Sequence, residues 1–183
     1  MLRRVAHVLL MAVTLGTTSA AGASTPLRPG DTFPNFSGQT LTGKTLDLPS
    51  MTAGKPVAVV FSFSRIGGKD ARAWSEHLSK DFPDLSINTI ILLESVPSLF
   101  RGMALSGIRT GMPLSMQDRT LVMYKDEVLW KERLEVTDEN RAYLVLLGPD
   151  AHIRWINTTA FTDTAYTQLH DELRKLEGQG HEP

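Results

Sequence analysis

Apolar residues follow two patterns along this chain, one typical of buried strands and one typical of amphipathic helices. Continuous apolar runs rich in β-branched residues predict strands that are covered on both faces. These runs are residues 57–63, 85–93 and 143–147. Between the first two runs, apolar positions three or four residues apart predict a helix over residues 69–82, which Pro83 ends. That stripe consists of Ala71, Trp74, Leu78 and Phe82.

Four further segments carry less regular patterns. A turn at Thr42-Gly43, followed by an apolar pair, predicts a small hairpin ahead of the main sheet. Residues 97–108 are a helical candidate, because apolar side chains recur there before the glycines and proline that follow. Two interpretations stay open for residues 120–124, which fit either a short strand or a continued helix, and residues 125–136 are ambiguous.

The C-terminal part predicts a hairpin and a covering helix. Residues 148–151 form a turn, residues 152–156 a return strand, and residues 164–176 an amphipathic helix that Gly178 and Gly180 end. The predicted order is therefore strand, helix, strand, helix, hairpin and helix. Parallel strands joined by crossover helices, with a hairpin and a covering helix at the end, are the thioredoxin-like arrangement. The predicted fold is α/β, with a central mixed β-sheet flanked by helices.

Length and composition fit one domain behind a leader. The chain has 183 residues, 42% of them hydrophobic. We predict a domain over residues 36–177, an extended, proline-containing lead-in over residues 24–35 and a loose tail over residues 178–183. With 19 basic and 20 acidic residues, the chain lacks the concentrated positive charge that nucleic-acid binding requires.

Residues 1–23 have the order of a secretory signal peptide. Arg3 and Arg4 precede an apolar stretch over residues 8–15, and small residues with a cleavage site at residues 21–23 follow. The apolar stretch is short for a membrane-spanning helix. We therefore expect a periplasmic or secreted protein. A mitochondrial presequence is the alternative, because no acidic residue occurs before Asp31.

The chain contains no cysteine. In thioredoxin-like proteins the redox Cys-x-x-Cys motif lies where the first core strand turns into a helix, and the nearest matching positions here are Gly67 and Asp70. Neither residue can form a thiolate, so thiol–disulfide oxidoreductase and peroxidase activities are excluded. The histidines are scattered without the spacing of metal ligands. We therefore expect no metal centre and no cofactor.

Several short segments resemble known families. Residues 30–36, 57–64 and 143–154 resemble the thioredoxin-like superfamily, in its redoxin and peroxiredoxin-like branches. Residues 142–146 and the Ile153-Arg154-Trp155 element are similar to the mitochondrial ATP synthase assembly factor 10 family. That resemblance implies an assembly chaperone for a membrane subunit of the ATP synthase. Redox members carry a cis-proline before the second-hairpin strand, and residues 139–142 contain no proline.

The start of the helix after the first core strand is the candidate binding site. Glycines let a backbone approach a ligand, helix-start N–H groups favour anions, and basic side chains add positive charge. An aromatic side chain on the helix and the loop before the second hairpin would extend this surface towards a protein or peptide partner. The candidate residues are Arg65, Gly67, Gly68, Lys69, Asp70, Trp74, Asn140 and Arg141. Core packing is the alternative for Trp74, and solvated surface charge is the alternative for the turn.

These observations favour a non-catalytic protein that binds or assembles a subunit of an envelope or membrane complex. One alternative is a cysteine-independent enzyme or anion-binding protein that uses the Arg65–Lys69 turn. Another is a copper chaperone, because thioethers bind copper(I). The methionines in question are Met103, Met112, Met116 and Met123. Ordinary core or surface methionines are the simpler interpretation.

Overall fold

The computed structural model describes residues 24–48, 52 and 54–179. The predicted signal peptide and the last four residues of the predicted tail lie outside these ranges. The described strands are β1 (Phe36–Thr40), β2 (Thr45–Leu48), β3 (Val57–Ser62), β4 (Ser86–Leu92), β5 (Thr120–Met123), β6 (Ala142–Leu147) and β7 (Ile153–Asn157). The described helices are α1 (Arg65–Asp81), α2 (Ser98–Thr110), α3 (Leu114–Gln117), α4 (Glu127–Arg133) and α5 (Asp163–Gln179).

The described strands form one mixed sheet in the order β2-β1-β5-β4-β3-β6-β7. The β3–β4 and β4–β5 pairs are parallel, and the other neighbours are antiparallel. Parallel neighbours require crossover connections, which α1 and α2 provide. Since β3 pairs with β4 on one side and β6 on the other, its carboxyl end lies in the middle of the sheet. This arrangement confirms the predicted thioredoxin-like α/β fold.

The continuous apolar run of β3 is explained by two cores, one on each face of the sheet. Val57, Val59 and Phe61 belong to one core, and Ala58 and Val60 belong to the other. All five are 0% exposed. Fully burying an aliphatic or aromatic side chain contributes roughly 1.5–3 kcal/mol, so a strand covered on both faces contributes to two apolar clusters at once.

Helix α1 starts four residues earlier than the apolar stripe predicted. The side chain of Ser64 accepts a hydrogen bond from the backbone N–H of Gly67 at 3.0 Å, which caps the helix at its first turn. Helix α5 continues to Gln179, the residue directly before Gly180, and so extends three residues past the predicted end at residue 176 and past Gly178. Both differences arise at helix ends, where local capping rather than periodicity decides the boundary.

The lead-in packs against the domain although it has no regular structure. Leu27 and Phe33 are 7% and 1% exposed, respectively. The N–H of Gly30 donates to the carbonyl of Ile153 at 2.8 Å. The ambiguous segment after β5 forms α4, whose Trp130 stacks on Phe33 with ring centroids 5.8 Å apart. Within the described ranges, no helix combines the length and the apolar character needed to cross a bilayer.

Candidate functional site

The predicted helix start lies directly after β3, where Gly67 is buried in the first turn of α1. A Cβ atom built on Gly67 would lie 2.8 Å from the carbonyl oxygens of both Glu139 and Arg141. Carbon–oxygen contacts are normally about 3.3 Å or longer, so only glycine fits. Because Gly67 has no side chain, a loop of the same chain packs directly against it. We call this loop the facing loop (residues 138–141).

Ser64 fastens the facing loop to the helix. Its hydroxyl donates to the carbonyl oxygen of Glu139 at 2.8 Å while its oxygen caps the N–H of Gly67. Carbonyl oxygens carry partial negative charge, and two of them cover Gly67. An anion approaching Gly67 would meet these oxygens rather than free N–H groups.

Asp70 is a structural bridge. One carboxylate oxygen accepts from the N–H of Ala142 at 2.8 Å, and the other accepts from the N–H of Phe161 at 2.9 Å. These bonds tie α1 to the start of β6 and to the segment before α5. At the position matching a second redox cysteine, the carboxylate is thus directed at the backbone of its own chain.

Trp74 lies in the core and is 0% exposed. Its ring makes edge contacts with Phe161 and Trp155, with centroids 5.0 Å and 6.2 Å apart. The expectation that Trp74 extends the partner surface is therefore corrected, because a residue with no exposed area cannot contact a partner. Core packing, the alternative drawn from the sequence, describes this residue.

The two predicted residues of the facing loop are at the surface. Asn140 is exposed, and Arg141 is half-buried with its guanidinium 3.0 Å from the carboxylate of Asp138. The loop is also held from α4, because Lys131 Nζ lies 2.6 Å from Glu139 and 2.7 Å from Glu127. The position of the facing loop is therefore set by ion pairs as well as by the Gly67 contact.

The buried carboxylate of Glu127 anchors this network. Burial alone would raise its pKa, but hydrogen bonds from Lys131 and from the N–H of Ser95 outweigh burial and hold the pKa below its ordinary value of 4.5. Burial alone would likewise lower the pKa of Lys131, whereas its bonds to Glu127 and Glu139 raise it above 10.5. The charged network joins the connection before α2 to α4 and the facing loop.

An apolar groove of about 770 Å³ lies beside the helix start, between α1 and α2. We call it the α1–α2 groove. Arg65, Gly68 and Lys69 line it, together with Ala71, Arg72 and Ser75 further along α1. The structure therefore divides the predicted site. Arg65, Gly68 and Lys69 face the groove. Gly67 and Trp74 are buried, and the half-buried Asp70 accepts hydrogen bonds from the backbone of its own chain. Asn140 and Arg141 lie on the facing loop.

The opposite wall of the groove was not anticipated as a site. Helix α2 has no buried residue, although apolar side chains recur along it with helical spacing. The residues lining the groove from this helix are Phe100, Met103, Ala104, Gly107 and Ile108. Their spacing was visible in the sequence, but such a stripe ordinarily indicates a face packed on the core. Here Phe100 and Met103 remain 51% and 73% exposed.

The methionines proposed as copper ligands are divided between two places. Met103, Met112 and Met116 line the α1–α2 groove, and Met123 is buried in the core on the other face of the sheet. The sulfur of Met112 accepts a hydrogen bond from the hydroxyl of Thr120 at 3.2 Å. Among the described residues, no group of three or more histidines, cysteines or carboxylates could hold a metal ion.

The Ile153-Arg154-Trp155 element has a structural role on β7. Arg154 pairs with Asp150 at 2.6 Å across the β6–β7 turn. A Cβ atom on Gly148 would lie 2.5 Å from Nε of Arg154, so the guanidinium lies directly over this glycine. The motif thus fixes the hairpin that follows the facing loop.

Comparisons with known proteins give one family and one fold. The family model described as "ATP10 protein" matches residues 30–176. Comparison with curated protein sequences gives no match.

Among solved structures, the chain is similar to one described as thiol:disulfide interchange protein DsbE from Chlorobium tepidum. The TM-score is 0.60 with 14% identity, over 82% of this chain and 98% of that one. It is also similar to BsSco, a member of the Sco family of cytochrome c oxidase assembly proteins (TM-score 0.56, 12% identity, 84% and 97% of the two chains). A third is a yeast mitochondrial 1-Cys peroxiredoxin (TM-score 0.55, 16% identity, 84% and 79%). At these identities the likeness shows the thioredoxin-like fold alone.

Proposed function

Because the chain belongs to the ATP10 protein family, we propose that it is an assembly factor of the ATP synthase that works by binding a subunit of that complex. The family match carries this proposal, since it extends over residues 30–176 and so includes nearly all of the described domain. It also agrees with the role implied by the Ile153-Arg154-Trp155 element in the sequence.

Two features of the site support binding over catalysis. The positions that match the redox motif hold Gly67, which is covered by the facing loop, and Asp70, whose carboxylate oxygens both accept backbone hydrogen bonds. Beside them, the α1–α2 groove offers apolar surface of the kind that marks interaction sites. The anion-binding alternative gains no support from Gly67, because carbonyl oxygens occupy the space an anion would need.

The proposed function also bears on the compartment. The family match supports the mitochondrial alternative for the leader, and the secretory signal peptide stays a prediction because residues 1–23 lie outside the described ranges. A fusion of residues 1–23 to a reporter, followed by fractionation of the host cells, distinguishes the two destinations.

Deletion of the gene from its host tests the function. The amount of intact ATP synthase on native gels should fall, and the wild-type chain supplied on a plasmid should restore it. The respiratory complexes on the same gels are the internal control. An unchanged amount of ATP synthase after deletion would refute the proposal.

Surface variants test whether binding at the helix start is required. Arg65→Ala with Lys69→Ala should leave the melting temperature unchanged, because both side chains are exposed, and should restore less ATP synthase than the wild type. Lys55→Ala with Lys80→Ala is the matched control, since it removes two exposed lysines that do not line the groove. If both double variants restore equal amounts of ATP synthase, Arg65 and Lys69 are not needed for the function.

A further inference from the structure

We propose that the α1–α2 groove receives an apolar helix of the client subunit that carries an acidic residue near one end. This inference rests on the proposed function, because it names the part of the client that the assembly factor holds. The groove measures about 770 Å³.

The side chains on the two walls of the groove favour an apolar occupant. Along α1 the wall residues Gly68, Ala71 and Ser75 are small, which lets another backbone approach closely. Along α2 the wall is formed by larger side chains, including Phe100 and Met103. Methionine is flexible and polarizable, so it adapts to different apolar partners.

The floor of the groove favours a helix over an extended peptide. Thr89 and Ile91 of β4 form part of this floor, and β4 is already paired with β3 and β5. An extended segment placed there would find no free strand edge with which to pair its backbone groups. A helix satisfies its own N–H and C=O groups and needs only side-chain contacts from the groove.

The charges around the groove favour an acidic end. The charged side chains that line it are Arg65, Lys69 and Arg72, and none of its described lining residues is acidic. Arg72 is paired with Glu76 at 2.6 Å and reaches the carbonyl of Gly111. Within the described parts of the chain, the side chains of Arg65 and Lys69 have no hydrogen-bond or ion-pair partner. A carboxylate entering beside the start of α1 would pair with them.

Binding of a helix in the groove would also stabilise α2. Helix α2 has 13 residues and buries none of them, and isolated helices of fewer than about 12–15 residues are marginal in water because most helix stability comes from packing. Packing a partner helix against the stripe of Phe100, Met103 and Ile108 would supply the missing contacts. We therefore expect the amides of α2 to exchange more slowly with solvent deuterium when the groove is occupied.

Binding of a defined peptide to the full chain tests the inference. The probe is a fluorescein-labelled amphipathic helix of about 18 residues, roughly five turns, with a leucine stripe and two glutamates at one end. Its control is the same peptide with both glutamates replaced by glutamine. Fluorescence anisotropy at low salt should show about tenfold tighter binding of the glutamate peptide. The Arg65→Ala, Lys69→Ala double variant should bind both peptides equally.

Two matched pairs of exposed apolar residues locate the binding surface. Phe100→Gln with Met103→Gln should weaken binding at least about tenfold, because these side chains line the groove. Leu99→Gln with Leu114→Gln removes residues that are 84% and 79% exposed and do not line it, and should leave binding unchanged. Equal effects of the two double variants would overturn the inference.

The same experiments detect other occupants of the groove, and either of two results would overturn the inference. One is binding of vesicles of phosphatidylglycerol and phosphatidylcholine, lost in the Phe100, Met103 variant, without binding of the peptide. Another is a concentration-dependent dimer, lost in the same variant and closed to the peptide. The two proposals fail separately. If gene deletion lowers ATP synthase and the peptide does not bind, only the groove inference fails; if the peptide binds and ATP synthase is unaffected, the assembly function fails.

Discussion

Replacement of Gly67 by alanine tests whether the facing loop closes the turn between β3 and α1. The new methyl group would lie 2.8 Å from two carbonyl oxygens, those of Glu139 and Arg141. Neither oxygen belongs to a flexible side chain, so the facing loop or the start of α1 must move. Movement in either direction stretches the Ser64–Glu139 bond of 2.8 Å and the Asp70–Ala142 bond of 2.8 Å.

The expected cost follows from two opposing terms. The contact is about 0.5 Å shorter than the ordinary limit of about 3.3 Å, and overpacking of this kind costs about 1–3 kcal/mol. Alanine is favoured over glycine in a helix by about 0.5–1 kcal/mol, which offsets part of that. We expect Gly67→Ala to lower the free energy of unfolding by about 1–2 kcal/mol. For a chain of this size, that corresponds to a Tm lower by about 2–8 °C.

The neighbouring glycine provides a matched control in the same helical turn. A Cβ atom on Gly68 would meet only the hydroxyl of Ser62, at 3.6 Å, which is an ordinary contact. Gly68→Ala should therefore be neutral or stabilising by about 0.5–1 kcal/mol. Urea unfolding followed by far-UV circular dichroism measures both variants. If Gly67→Ala is as stable as Gly68→Ala, the facing loop does not close on the helix as described.

Asp70→Asn should lower the free energy of unfolding in urea by about 1–3 kcal/mol, because an amide can accept only one of the two backbone N–H bonds and opposes the other with its own donors. Glu127→Gln should cost about 1–3 kcal/mol at pH 7 through the lost pair with Lys131. The folded pKa of Glu127 lies below its ordinary value. The stability difference between the wild type and Glu127→Gln is therefore complete above pH 4.5 and is lost as the pH falls through the folded pKa. Urea unfolding of both proteins at pH 7 and pH 3 measures how far this difference decreases. Val59→Asp should prevent folding, since it places an unpaired charge in a strand residue that is 0% exposed, and circular dichroism and melting detect it.

Each of these variants has a comparison that isolates its cause. Asp84→Asn removes an exposed carboxylate near the end of α1 and should leave stability within about 0.5 kcal/mol of the wild type. Val128→Asp places the same charge at a residue that is 67% exposed and should fold normally. A Glu127→Gln difference that stays constant between pH 7 and pH 3 would show that its charge does not stabilise the fold.

The sheet could be predicted because its central strands are buried on both faces and carry continuous apolar runs. Residues 57–63, 85–93 and 143–147 became β3, β4 and β6 with boundaries shifted by one residue. The four-residue strand β5 stayed ambiguous. Its register is set by β4 and β1, whose residues lie far from it in the chain, and no local pattern contains that information.

The position of the candidate residues in the fold could be predicted, but their contacts could not. The glycine pair does lie at the start of the helix after the first core strand. What Gly67 and Asp70 contact could not be predicted, because the partners of Asp70 are 72 and 91 residues away in sequence. The α1–α2 groove was missed for a different reason. A helical apolar stripe predicts burial, and only the packing of the whole domain shows that α2 buries none of its residues.

The closed turn and the open groove have complementary physical roles. Gly67 and Asp70 fix α1 against the facing loop and β6, so this wall of the groove is held by hydrogen bonds to backbone on two other segments. The α2 wall buries no residue, and polar contacts hold it instead: Arg101 donates to the carbonyls of Glu94 and Val96, and Arg109 donates to that of Leu41. Its apolar side chains are therefore free to change rotamer. One fixed wall and one adaptable wall would let a binding protein hold apolar helices of different shape without losing its own fold. In a thiol oxidoreductase the residues at the turn must stay free to react; here the same positions brace one wall of the groove.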